Sequence, residues 1–154
     1  MPKIDLDAVP SISGTSYPQP FERIVSGRSR KALGDAAGLS QFGVNMTRLK
    51  PGAGSSHRHW HACEDEFIYV ISGEATLIED GGETVLRAGD AAAFKAGVPI
   101  GHHLVNRSGE DVVYLEVGTR SEEDVSTYSD PEIDLKMIKS GGAWKPHHKN
   151  GDPY

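Results

Sequence analysis

The residues of this chain that could do chemistry are crowded into one stretch, His57-Arg58-His59-Trp60-His61-Ala62-Cys63-Glu64-Asp65-Glu66. Side chains two apart on a strand share a face. In an extended segment His59 and His61 therefore point one way and Trp60 the other, with His57 on the histidine side. Imidazole binds first-row divalent metals well, and a carboxylate adds a hard, charged ligand. Glu66 follows after a short turn and opens an apolar segment, so it can re-enter the same interior. A further imidazole from a distant strand would complete a set that leaves positions open for water or substrate. Such a centre could polarise a carbonyl or an enolisable hydroxy acid, activate water, or bind dioxygen when the metal is redox-active.

Those side chains need strands to hold them, and the surrounding sequence supplies strand signals. From Gln41 to Arg120, short runs rich in Val, Ile, Leu, Phe and Tyr alternate with turn residues. QFGVNMTRL (41–49) stops at Pro51-Gly52, and EFIYVIS (66–72) stops at Gly73. EATLIE (74–79) and ETVLRA (83–88) flank Asp80-Gly81-Gly82, a hairpin connection. DAAAF (90–94), HLVNR (103–107) and VVYLEVG (112–118) follow. Strands recurring roughly every ten residues, with no helix between them, predict an antiparallel sandwich or barrel.

The flanks read differently. Residues 1–40 are expected to form an N-terminal arm and strand, 41–120 a barrel, and 121–154 a C-terminal extension packing on the barrel or on a second subunit. Arg23, Arg28, Arg30 and Lys31 form a loose basic cluster, either a solvated segment or a contact for an anion or partner. In the extension an acidic run, SEEDVSTYSDPEIDL, precedes a basic, turn-rich one in which Trp144 and Tyr154 are the expected packing anchors.

With 154 residues the chain suits one domain. Its single cysteine, Cys63, excludes an intrachain disulfide and fits a reducing compartment, so a cytoplasmic location is expected. No secretory pattern opens the sequence and no apolar run is long enough to span a bilayer, so no membrane partner is expected. The net charge of −6 (16 basic against 22 acidic residues) argues against nucleic acid, which needs a concentrated basic surface.

The motifs resemble those of the cupin superfamily. Its first motif, G-x5-H-x-H-x(3,4)-E-x6-G, is matched by His59, His61, Glu66 and Gly73; its leading glycine falls on Ala53, flanked by Gly52 and Gly54. The alternative register, His57, His59 and Glu64, would need a glycine where Ile71 stands. The second motif, G-x5-P-x-G-x2-H-x3-N, is matched by Gly89, Gly97, His102 and Asn106. Lys95 replaces the proline, and two extra residues precede the histidine. The Asn106 spacing favours His102 over His103 as the ligand. The resemblance covers roughly residues 41–120 and implies an all-β double-stranded β-helix, or jelly-roll, barrel.

It further implies one divalent transition metal per chain (Fe, Mn, Zn, Ni or Cu) on His59, His61, Glu66 and His102. His57 is the expected proton carrier beside it, hence the candidate catalytic residue. His103 is expected to be structural, Cys63 a small buried hydrophobe, and Phe67 and Tyr69 core packing. Asn45 and Arg48 face opposite ways, so at most one of them points inward to touch an acidic substrate. His147 and His148 are expected at the surface. The function expected is metal-dependent enzymology on a small oxygenated molecule (a sugar, sugar acid or carboxylic acid) by Lewis-acid or dioxygen chemistry. The alternative is a non-catalytic small-molecule binding or sensor module. A small-molecule ligand and a homodimer are the expected partners.

Overall fold

Glycine- and proline-bearing turns divide the chain into short strands, the pattern that the alternation predicts. The structure is a computed structural model and describes residues 3–154. Met1 and Pro2, the start of the expected arm, lie outside the described residues. The strands are β1 (Ile12–Ser13), β2 (Arg28–Ala32), β3 (Phe42–Leu49), β4 (His59–His61), β5 (Glu66–Ser72), β6 (Glu74–Glu79), β7 (Gly82–Arg87), β8 (Ala91–Phe94), β9 (His102–Val105), β10 (Val112–Thr119), β11 (Asp124–Tyr128), β12 (Lys136–Ser140) and β13 (Ala143–His147). Among the described residues, helix is confined to a 3-10 turn at Phe21–Val25 and one α-helical turn at Leu33–Ala36. No helix among the described residues is long and apolar enough to cross a membrane.

Two antiparallel sheets result. The first runs β1-β2-β3-β10-β5-β8 and the second β13-β12-β11-β4-β9-β6-β7. Their inner faces meet over Leu49, Ile68, Val70, Leu77, Leu86, Leu104, Val112 and Tyr114, drawn from both sheets. This is the expected all-β jelly-roll barrel. Burying these side chains stabilises the fold by about 1.5–3 kcal/mol for each large aliphatic one.

Strand β5 shows how a period of two sorts residues. Ile68 and Val70 are buried inside, while Phe67, Tyr69 and Ile71 are 43%, 41% and 44% exposed. The expectation that Phe67 and Tyr69 pack in the core is therefore corrected. They alternate outward, on the face of the first sheet turned away from the core. Cys63 is likewise exposed in the turn after β4, not buried as expected.

Two motif residues have structural jobs. Gly73 has φ +78°, and a Cβ added there would sit 2.5 Å from the Asp111 carbonyl oxygen, so the tight β5–β6 turn requires glycine. Asn106 is fully buried. Its Nδ2 donates to the carbonyls of Leu49 (2.9 Å) and Glu110 (2.7 Å), and its Oδ1 accepts from the Ser108 backbone N–H (3.0 Å). It locks the loop after β9 onto the end of β3.

The flanking segments join the sheets. β1 pairs with β2 and β2 with β3, so this part of the arm lies on its own chain. β11 pairs with β4, placing residues of the 121–154 segment directly beside the His59–His61 strand. Tyr128, Ile133, Leu135 and Met137 form a second apolar cluster, against which Tyr17, Phe21 and Trp144 pack. Tyr154 is 45% exposed and stacks on the His148 ring.

Candidate metal centre

Two neighbouring strands of one sheet and a third from the other bring the expected residues together. β4 aligns His59 opposite His102 of β9, and alternation puts His61 on the same face as His59. Glu66, the first residue of β5, projects inward from the opposing sheet, on the face that Ile68 and Val70 bury. The ligating atoms of His59, His61 and Glu66 all lie within 4.8 Å of one another. His59 Nε2 and His61 Nε2 are 3.2 Å apart, and His61 Nε2 is 3.7 Å from Glu66 Oε2. His102 joins through Glu66, its Nε2 2.9 Å from Oε2. Two imidazole nitrogens on one ion, at about 2.1 Å each and an angle between right and tetrahedral, would be about 3.0–3.4 Å apart. The pair His59 and His61 fits that separation, and the donor set of imidazole plus carboxylate suits a divalent transition metal.

Neighbours fix each ring. His59 Nδ1–H donates to the His57 carbonyl (2.8 Å), and the ring stacks on Tyr128 at 5.5 Å between centroids. His61 Nδ1–H donates to Asp124 Oδ2 (2.5 Å). The other oxygen of Asp124 accepts the Cys63 backbone N–H (2.8 Å). Both histidines thereby direct Nε2 at the cluster, the role outer partners play at metal sites. His102 is oriented by packing instead: Phe94 stacks on it at 3.5 Å between centroids with planes 3° apart.

Burial and charge set the ionisation. Burial holds the His59 imidazole down at about 3, against the pull of Glu66. Burial also disfavours the charged forms of Glu66 and His61 but is outweighed in both. The His102 hydrogen bond and the neighbouring imidazoles hold Glu66 at about 2. The Asp124 hydrogen bond and the Glu66 charge raise His61 above its ordinary value. A neutral His59 beside an ionised Glu66 is the form a metal requires, and a cation and the His61 proton compete for the same space.

The cluster forms one wall of a cavity of about 510 Å³. Tyr17, Asn45, Tyr114, Glu116 and Tyr128 line it together with four basic side chains. The volume falls in the range of small-molecule sites. A second cavity of about 230 Å³ reaches His61, Glu66 and His102 past Trp60, Val98 and Ile100.

His57, the expected proton carrier, lies elsewhere. Its Nε2 donates to the Phe21 carbonyl (2.8 Å), and its ring packs among Tyr17, Phe21 and Tyr128. It does not line the main cavity. Only its carbonyl touches the cluster, because the chain bends before β4 and breaks the alternation. Glu64, of the alternative register, is bound by Lys139 (2.7 Å) and the Ser121 N–H (3.0 Å). His103 faces away from Glu66, with Nδ1 donating to the Ser56 carbonyl (2.8 Å). Asn45 points inward and Arg48 outward, to Asp111. Asp124, Glu116 and Tyr128 were missed by sequence reasoning. The alternation of Asp124, Ser126 and Tyr128, all buried, was the available signal.

A Cupin domain family matches residues 45–118. The crystal structure of a sugar phosphate isomerase from a cupin superfamily, from Silicibacter pomeroyi, is 44% identical with a TM-score of 0.95, covering 99% of this chain and 96% of that one. A proposed sugar phosphate isomerase from Acidithiobacillus ferrooxidans is 30% identical with a TM-score of 0.73, over 82% of this chain and 80% of that one. An oxalate decarboxylase of Arthroderma benhamiae is 40% identical over 78 residues, 47% of this chain. The chain spans less than a fifth of the length of the curated relatives it matches. Cupins commonly carry a divalent metal, and the His/Glu cluster stands where the two motifs put it. The motif resemblance and the near-complete overlap with a structure of that superfamily lead to one conclusion: this chain is a small cupin-domain protein.

Proposed function

We propose that the protein is a metal-dependent enzyme that isomerises a small polyhydroxylated carbonyl compound of the sugar or sugar-acid class. The observation that carries this reading is the convergence of His59, His61, Glu66 and His102 on one wall of a polar cavity. The relation to a sugar phosphate isomerase supports the reaction class. These four residues would hold a divalent ion, which would supply Lewis acidity to a substrate oxygen. Isomerisation also needs a group that carries a proton between adjacent carbons. Glu116 fits that role better than His57. It lines the cavity from β10, with Asn45 Nδ2 3.4 Å from its Oε2. Tyr17 and Tyr128, joined through their hydroxyls at 2.9 Å, are placed to orient substrate oxygens.

Elemental analysis of untagged protein tests the centre, followed by NMR detection of solvent deuterium entering candidate sugars. About one metal per chain is expected, lost in His61→Ala and His102→Ala but kept in His103→Ala, with deuterium exchange lost in Glu116→Gln. Failure to bind metal even after reconstitution would overturn the reading. The local match to oxalate decarboxylases supports a second reading, decarboxylation of a small carboxylic acid at the same centre, which release of carbon dioxide would reveal.

A further inference from the structure

Four cationic side chains line the main cavity: Arg28, Arg30, Arg120 and Lys139. Two are neutralised, Arg120 by Asp35 and Lys139 by Glu64. Among the described residues, Arg28 and Arg30 pair with no carboxylate. Arg28 instead donates to two neutral carbonyls, those of Ser55 and Gly14. These bonds hold its guanidinium in place while leaving its charge and other N–H groups free. Arg30 sits two residues on, on the same inward face of β2, beside Thr47 and then Tyr114 across the sheet. Burial keeps the phenols of Tyr17, Tyr114 and Tyr128 protonated well into alkaline conditions, with the Arg28 charge offsetting part of the effect. All three line the same cavity; the Tyr128 hydroxyl donates to Tyr17, which leaves the Tyr17 and Tyr114 hydroxyls to donate to a ligand there.

We propose that Arg28 and Arg30 form an oxyanion subsite that holds the phosphate or carboxylate group of the substrate. Guanidinium groups match both oxyanions with paired N–H donors. The placement also suits the metal centre. β2 and the Glu66 strand β5 are separated by three strand spacings in the sheet order, about 14 Å at about 4.8 Å each. An arginine side chain and a short sugar chain together cover that gap. The inference rests on reading the cavity as a substrate chamber and makes the substrate an anionic sugar derivative.

Titration calorimetry on the full-length, metal-stripped protein tests it, with inorganic phosphate and D-glycerate as probes and glycerol as the uncharged control. Wild type is expected to bind at least one of the two anions and not glycerol. Preference for phosphate identifies a phosphorylated substrate, and preference for glycerate a sugar acid. Arg30→Gln, whose side chain ties down no other element among the described residues, should weaken binding by roughly tenfold or more. Arg28→Lys should do the same, while the outward-facing Arg48→Gln should leave it unchanged. Binding of neither anion, or binding that survives both substitutions in folded protein, overturns the subsite. Metal content of the same variants separates the two readings: a protein that binds phosphate through these arginines but never binds metal keeps the subsite and loses the metal-dependent enzyme.

Discussion

His59 is buried, faces an ionised Glu66 and gives its Nδ1–H to a backbone carbonyl. In an unfolded chain a histidine titrates near 6.5; here His59 stays neutral down to about 3. Below about pH 6.5 the unfolded state binds a proton that the folded state refuses, so stability falls as pH drops from there towards 3. Glu66 adds to the acid limb: held at about 2 against 4.5, its contribution is lost as pH falls from 4.5 to 2. His61 works the other way, because its raised value contributes stability below its unfolded value that is lost as pH rises through the folded one. Thermal melts of metal-stripped protein should therefore show a falling Tm from pH 6.5 to 4, with a shallower fall in His59→Gln. A Tm that stays flat in wild type would contradict the burial that sets His59. The ligand types and their spacing were legible at this scale, because histidine and glutamate at motif intervals have few other uses. Asp124 was not, since a carboxylate in an acidic run looks solvated until the fold buries it at 2% exposure against His61.

The strands that carried an apolar inward face were readable almost to the residue, as β5 and β6 show at 66–72 and 74–79. β11 was not, because its inward residues are Asp124, Ser126 and Tyr128, and a polar inner face erases the apolar alternation that marks a strand. The turns between strands carry their own constraint. Gly73 combines a left-handed φ of +78° with backbone crowding at Asp111, so both conformation and space forbid a side chain. Gly73→Ala is expected to destabilise the fold by about 1–3 kcal/mol in urea unfolding. Gly109→Ala, where an added Cβ meets nothing within 4 Å, should be near neutral. Equal stability of the two variants would mean that the β5–β6 turn can relax, and that the motif glycine has no geometric reason to be there.

The outward side of the first sheet governs how whole molecules meet. Phe67, Tyr69 and Ile71 stand exposed on β5. Beside them lie Val117 and Leu115 of β10, and then Val44 and Met46 of β3, which the register places across from one another. The one charged side chain on this face of β3, Arg48, is paired with Asp111 at the edge. We propose this apolar face as the contact of the expected homodimer. A second copy is the occupant that suits it: twofold pairing needs only one self-complementary patch, and this one keeps its charges at the edge, Arg48 paired with Asp111 and Lys31, on β2, across from Met46. β1 of the N-terminal arm pairs with β2 of its own chain. Sedimentation at micromolar concentration should show a dimer, and Phe67→Glu with Tyr69→Glu should yield a monomer. That monomer should keep its metal, because Glu66 and Ile68 face the other way along the same strand. A wild-type monomer would leave the face without its second copy. A dimer that survives the double substitution would place the contact on another surface.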